Sequence, residues 1–185
     1  IYTTYCEGCQ QCQSVRIKAT AFQSNSNQRR VWNKAKRSNW RYQLTEVRDN
    51  ESCTEKYYAL YQSYIDSKHA DSSMSPTSPE QMAYLWQASW LKIQFLEQYI
   101  DDKLVAVTVV DCTADAFSAV YTFYQTGHVL AFGTLAILAL IEQAKIENIS
   151  FVYLGYYIQH CQKMSYKAKF LPQQRFIGGE WLSFR

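Results

Sequence analysis

The sequence predicts an α+β fold, with helices packed on a largely antiparallel sheet. Three stretches carry that expectation. "IQFLEQYID-DKLVAVTVVDC" (93–112) reads as two strands joined by a tight turn at Asp101–Asp102. "CTEKYYALYQSYIDSKHA" (53–70) sets Tyr57, Tyr58, Leu60, Tyr61, Tyr64 and Ile65 at helical spacing. The apolar run "VLAFGTLAILALI" (129–141) is too short to span a bilayer and holds a glycine, so it reads as a buried helix. Strands and helices do not alternate as a regular βαβ array. A chain of 185 residues fits one domain with at most a small appendage.

The remaining elements follow in chain order. After three cysteines, "SVRIKATAF" alternates like a strand. Val15, Ile17, Ala19 and Ala21 share one face, and Arg16, Lys18 and Thr20 the other. "SNSNQRRVWNKAKRSN" opens with Ser and Asn caps and continues as a basic helix. On it Arg30, Lys34 and Arg37 lie on one side, with Val31 and Ala35 toward the core. "WRYQLTEV" is a strand candidate, and "ADSSMSPTSP" is a loop rich in Ser and Pro. A third helix starts at Pro79–Glu80 and runs to about Trp90. "AFSAVYTFY" adds a strand to the hairpin, the buried helix runs to about Glu147, and "ISFVYLGYY" supplies another strand.

Several chemistries have no motif here. There is no Gly-rich nucleotide loop and no nucleophile elbow, and His69, His128 and His160 lack metalloprotease spacing. The six cysteines do not resemble a disulfide framework, and no signal peptide is visible, which points to the reducing cytosol. Charge is zoned. Nine bases and one acid lie between Arg16 and Arg48, thirteen acids and five bases from Asp49 to Cys161, and five bases and one acid beyond. Basic ends around an acidic middle suit an anionic partner, nucleic acid first. A solvated helix face fits the same charges.

The densest chemical segment is "YLGYYIQHCQKMSYKAKFLP" (153–172). A strand ends in Gly155, where a substrate backbone could approach closely. Tyr153, Tyr156 and Tyr157 bracket it, and Lys163, Tyr166, Lys167 and Lys169 follow. In an α-helix Lys163 and Lys167 would share a face and repel unless an anion lay between them. The same residues also fit an aromatic core strand followed by a solvated basic turn.

This segment resembles the signature of the arginyl-tRNA–protein transferase family, most of all its bacterial aspartate/glutamate leucyltransferase branch. "CQQCQSVRI", "SNQRRVWNKAK", "YYALYQSYIDSKHADSSM", "SAVYTFY" and "GTLAIL" recur in the family's order, so the likeness spans nearly the whole chain. It implies an acetyltransferase-like (GNAT) transferase domain over 15–185, with 1–14 as the remnant of a Cys-rich N-terminal region. It implies transfer of leucine, or alternatively arginine, from aminoacyl-tRNA to the N-terminal amine of proteins beginning with Asp or Glu, marking them for degradation in the cytoplasm. It implies no membrane partner and no cofactor required for transfer. Zinc or an iron–sulfur cluster at Cys6, Cys9 and Cys12 is the metal expectation, with three free thiols as the alternative; Cys53, Cys112 or Cys161 would join only if the fold brought one close.

On this reading Gly155 and the neighbouring strand edge hold the reacting backbones. Tyr156 or Tyr121 donates to the oxyanion or the leaving ribose oxygen. Lys163 and Lys167, with Tyr157 and Tyr166, select the acceptor's carboxylate, and Arg29, Arg30, Lys34 and Arg37 contact tRNA phosphates. The chain departs from the family pattern in three places. Thr3 and Thr4 stand where Lys or Arg and then Pro are usual, "HADSSM" replaces a pattern with two glycines, and Leu130-Ala131-Phe132-Gly133 replaces Arg-Ser-Leu-Gly. Two other readings compete. One is an acetyl-CoA N-acetyltransferase, opposed by the missing pyrophosphate loop. The other is a non-catalytic RNA-binding module.

Overall fold

A computed structural model describes residues 9, 11–46, 50–71, 74–87 and 91–185, with 50–53 described by backbone alone. Its strands are β1 (Gln13–Lys18), β2 (Trp40–Glu46), β3 (Lys92–Ile100), β4 (Lys103–Cys112), β5 (Ala116–Tyr124), β6 (Phe151–Tyr157), β7 (Gln173–Ile177) and β8 (Glu180–Phe184). Its α-helices are α1 (Ser26–Lys36), α2 (Asn50–Lys68), α3 (Pro79–Ala83) and α4 (Phe132–Ile146). The strands form one sheet in the order β2-β3-β4-β5-β6-β1-β7-β8. Every neighbouring pair is antiparallel except β5 and β6.

Local chemistry explains the ends of these elements. Asn25 caps α1 by accepting from the Gln28 N–H at 2.9 Å, while the Gln28 side chain accepts from the Asn25 N–H at 2.9 Å. Ser78 and Gln81 repeat this capping box at α3. Asp101 and Asp102, at φ +45° and +64°, make the turn that reverses β3 into β4 with matching twist. Helices cover both faces of the sheet. Leu135, Leu138 and Ile141 of α4 and Ala35 of α1 pack with Val15, Ile17 and Val152. On the other face Tyr57, Tyr61 and Ile65 of α2 pack with Met82, Trp86, Phe95, Val107 and Phe123. With both sides covered, β4 is buried from Val105 to Cys112 and reads as a continuous apolar run with few interruptions.

Two expectations need correction, and two further segments are settled by the structure. The first strand ends at Lys18, and a 3₁₀ turn (Ala19–Ala21) leaves Ala21 exposed and buries Phe22 instead. The third helix is α-helical only to Ala83. It tightens into a 3₁₀ turn (Tyr84–Trp86) that puts Trp86 edge-on against Phe95 at 5.2 Å, and residues 88–90 lie outside the described ones. Residues Gln162–Lys169 form a 3₁₀ segment rather than an α-helix. At three residues per turn, positions four apart no longer align. Lys167 is buried and Lys163 exposed, so the two are not an equivalent pair. Finally, the β7–β8 hairpin was not anticipated, although Gly178 and Gly179, at φ +60° and +90°, supply its turn.

Two bulges position the site. β5 and β6 pair only through Ala116–Ser118 and Phe151–Tyr153. Beyond that level Val120 is an extra residue in β5, opposite Val109 and Val110 of β4. Leu154 is likewise extra in β6, opposite Val15 and Arg16 of β1. A bulge bends its strand and increases the local twist. One bulge on each strand, at the same level, therefore opens the sheet between them.

Candidate active site

A cleft of about 640 Å³ occupies the gap where β5 and β6 part. The end of α2 contributes Tyr64, Lys68 and His69, and β5 contributes residues 119–122 and Tyr124. The β5–α4 connection and the first turn of α4 form a second wall, and Lys163, Tyr166 and Lys167 a third.

Lys167 is the best-defined charged group in this cleft. Its Nζ donates to the Tyr156 carbonyl at 2.6 Å, and only 9% of the residue is exposed. Gly155 lies beside it. The glycine holds φ +75° within the β6 bulge, and a Cβ there would lie 3.6 Å from Lys167 Nζ. Buried Gln173 fixes the segment from below, donating through Nε2 to the carbonyls of Lys167 (2.8 Å) and Phe170 (3.0 Å). Its Oε1 accepts from Arg175 Nε at 2.9 Å. Burial pushes the Lys167 ammonium down to about 8, with nearby Cys161 opposing. This is a cation held in a dry place, able to meet a carboxylate.

Opposite it stands a tyrosine cluster. Tyr64 packs on Tyr124 with ring centroids 4.8 Å apart and on Tyr121 at 6.4 Å. Burial, then Tyr124 and Tyr121, raise the Tyr64 pKa, and burial followed by Tyr124 raises that of Tyr166. These hydroxyls remain protonated donors at neutral pH. Burial and then the positive charge of Lys163 lower the pKa of His69, favouring its neutral form.

The start of α4 faces the cleft uncapped. Ala131 provides no side-chain cap, the first turn has no acid, and the first intrahelical bond runs from the Leu135 N–H to the Ala131 carbonyl. The amides of Phe132, Gly133 and Thr134 have no intrahelical acceptor and carry the positive end of the helix dipole. Just before this turn, the Leu130 N–H donates to His128 Nδ1 at 3.1 Å, and the His128 ring stacks on Phe132.

The structure distributes the sequence-derived residues unevenly. Tyr121, Lys163, Tyr166 and Lys167 line the cleft. The Tyr121 hydroxyl lies 3.7 Å from Met74 Sδ. Tyr156 and Tyr157 do not line it. Tyr156 contributes its carbonyl, and the Tyr157 ring lies under Arg175 at 4.0 Å. Arg29, Arg30, Lys34 and Arg37 are all exposed on or next to α1. Arg29 donates to the Ser24 carbonyl and Arg30 to Asn27 Oδ1 at 2.8 Å. Lys34 reaches across to the Val129 carbonyl at 3.3 Å, tying the basic helix to the cleft rim. Tyr64, Lys68, His69, Tyr124, His128 and Gly133 also line the cleft, although no sequence motif marks them as site residues.

Cys6 lies outside the described residues. Cys9 is exposed and Cys12 half-buried, both as free thiols. Among the described residues no group of three His, Cys, Asp or Glu side chains could hold a metal, so the zinc or iron–sulfur expectation finds no support there. Burial pushes the Cys112 thiol up to about 12, which makes it an unreactive core residue. No helix among the described residues is long and apolar enough to cross a membrane.

The sequence comparisons point to one family. Residues 56–177 match the family model described as arginine-tRNA-protein transferase, C terminus. The chain is 38% identical over 182 residues to the aspartate/glutamate leucyltransferase of Pseudoalteromonas atlantica, covering 98% of this chain and 76% of that protein. It is 36% identical over 182 residues to the protein of the same name from Aeromonas hydrophila, covering 98% and 74%. Among solved structures, L-PGS from Bacillus licheniformis superposes with a TM-score of 0.70 at 12% identity, over 94% of this chain. The chain spans 60% of the length of that structure. A conserved protein from Bacteroides thetaiotaomicron gives a TM-score of 0.63 at 11% identity, over 88% of this chain and 56% of that one. At such identities the likeness is one of fold.

Proposed function

This chain belongs to the arginine-tRNA–protein transferase family, and from that premise we propose that it transfers leucine from leucyl-tRNA to the N-terminal amine of proteins that begin with Asp or Glu. The observation that carries the reading is the buried Lys167 ammonium in the cleft between the parted strands. A carboxylate entering a dry site needs a charged partner, and Lys167 offers one already stripped of water. The opening between parallel strands, with a helix starting at its mouth, suits an acetyltransferase-like domain, and dependence on aminoacyl-tRNA suits the cytoplasm.

The chemistry is undemanding. The donor is an ester and already activated, so neither ATP nor a covalent enzyme intermediate is needed. A free α-amine has a pKa of about 7.7–8.0, so much of it is neutral and nucleophilic near pH 7.5. The enzyme's work is positioning, stabilising the tetrahedral oxyanion, and protonating the departing ribose oxygen. Gly155 and the bulged edge of β6 hold the acceptor backbone while Lys167 binds its side chain. Lys163 and Tyr166 close the outer wall. The Tyr121 hydroxyl donates to the leaving ribose oxygen. Arg29, Arg30, Lys34 and Arg37 hold tRNA phosphates outside the cleft. Leucine is favoured over arginine as donor because Leu130, Phe132, Ile137 and Leu154 give the cleft apolar lining, while an arginine would meet Lys68, Lys163 and Lys167.

The test incubates the chain with leucyl- or arginyl-tRNA and peptides beginning Asp, Glu, Arg or Ala. Leucine should appear by mass only on the Asp and Glu peptides. Addition of arginine instead would reverse the donor assignment, and no addition to any peptide would overturn the reading. One observation favours a second reading. The uncapped start of α4 suits an anion, so acetyl-CoA is the competing donor. A rise in melting temperature with CoA, without peptide leucylation, would support that alternative.

A further inference from the structure

None of those roles uses the histidine at the cleft rim. His128 Nδ1 accepts a hydrogen bond from the Leu130 N–H at 3.1 Å. A nitrogen that accepts carries a lone pair, so the proton of the neutral imidazole sits on Nε2. The ring also stacks on Phe132, the first residue of α4, with centroids 5.0 Å apart and planes 27° apart. One contact fixes the tautomer and both fix the orientation. Nε2–H remains without an acceptor among the described residues, on a side chain that lines the cleft.

These constraints narrow what the ring can do. As a base it would need a lone pair on its free nitrogen, and Nε2 has none. What it can offer is a hydrogen bond from a preoriented donor at the exposed rim of the cleft, an arrangement enzymes use to polarise carbonyls. The rim is also where the donor ester must arrive. Lys34 of the basic helix bonds the carbonyl of Val129, the residue next to His128, so the helix assigned to the tRNA phosphates lies beside this ring. The open amides of Phe132, Gly133 and Thr134 lie in the same wall.

We propose that His128 is a catalytic residue that donates from Nε2–H to the carbonyl oxygen of the aminoacyl ester as that oxygen becomes the tetrahedral oxyanion. The inference rests on the aminoacyl-transfer reading. The amine nitrogen forms the new bond to the carbonyl carbon, and the carbonyl π pair moves onto oxygen under the His128 hydrogen bond. Collapse restores the C=O and breaks the bond to the ribose oxygen, which takes up a proton. The amine loses one to solvent. His128 keeps its own proton throughout.

The experiment measures kcat and KM for leucyl-tRNA with an Asp-initiated peptide, using the full chain and two variants. His128→Phe keeps the stack on Phe132 and removes the donor. His128→Asn keeps a side-chain acceptor for the Leu130 N–H, as an Asx-turn, but withdraws the donor from the cleft. Both variants should lose about 10²-fold or more in kcat, the usual effect of removing one oxyanion donor. Their KM for leucyl-tRNA and their melting temperatures should stay close to wild type. A near-normal kcat in His128→Asn would reduce the residue to a turn former and overturn the proposal, as would a loss confined to KM. Transfer by wild type together with full activity in His128→Phe would refute the histidine's role alone. No transfer by wild type from any charged tRNA would sink the underlying reading, and this role with it.

Discussion

Lys167→Met separates what this lysine does for the fold from what it does for the substrate. Burial lowers the ammonium from an ordinary 10.5 to about 8. At about 1.4 kcal/mol per pH unit, holding it charged at pH 7 costs the folded state about 3 kcal/mol. The bond to the Tyr156 carbonyl, a hydrogen bond from a charged donor, returns about 1.5–3 kcal/mol. Methionine has a similar length, fills the same space and removes both effects. The variant should therefore be as stable as wild type, or more stable by up to about 2 kcal/mol, which for a chain of this size is a rise in Tm of up to roughly 8 °C.

The pH dependence gives a sharper test. The folded pKa lies below the unfolded one, so the destabilisation is fully present below about pH 8 and disappears as pH rises toward 10.5. In that window the unfolded chain binds more protons than the folded one, and wild-type stability rises with pH. Urea denaturation at pH 7 and pH 10 should show wild type gaining up to about 3 kcal/mol on Lys167→Met. Transfer to Asp- and Glu-initiated peptides should fall at least 100-fold, while leucyl-tRNA affinity stays within about threefold. A variant that is less stable by more than about 2 kcal/mol at pH 7, with a gap that does not change with pH, would refute the reasoning. Lys167 would then be a clamp on the Gly155 bulge rather than a cation kept ready for a carboxylate.

Other sites give independent predictions. Burial pushes the Glu97 carboxyl up, but hydrogen bonds from Lys56, Tyr57, Gln43 and Thr45 outweigh it and pull the group down to about 2. Its folded pKa is depressed, so about 3 kcal/mol of stability is present above pH 4.5 and lost as pH falls toward 2. Glu97→Gln should lose a similar amount at pH 7 by denaturant titration, and its acid unfolding should be correspondingly flatter. Arg30→Ala combined with Lys34→Ala should lower the log–log salt slope of tRNA binding by about 1.5–2, and an unchanged slope would make α1 an ordinary solvated face. Gly155→Ala meets only ordinary contact at 3.6 Å, so its loss of about 1–2 kcal/mol comes from the left-handed backbone, and relaxation of the strained β6 bulge should raise its acceptor KM.

How much of this was legible in the sequence depends on the range over which each feature is decided. The β3–β4 hairpin, the Asn25 cap and the buried α4 are set by neighbours within a few residues, and alternation, turn chemistry and helical spacing expose them. The β7–β8 hairpin carried such a signal too, in Gly178–Gly179. The cleft belongs to another category. It exists because Val120 and Leu154 are each one residue too many against partners on β4 and β1, and no local pattern marks an extra residue whose partner strand is far away in sequence. For the same reason Tyr64 looks like a core tyrosine. It shares the helical spacing of Tyr57 and Tyr61, and only the parting of β5 from β6 turns its ring toward a cavity. Lys167 shows the limit most clearly. A lysine twelve residues after a glycine reads as solvated, until a 3₁₀ segment turns it inward beside the left-handed Gly155 bulge and its ammonium meets the Tyr156 carbonyl. The chemistry of this site thus depends on the packing of residues whose types were visible, and on two bulges whose places were not.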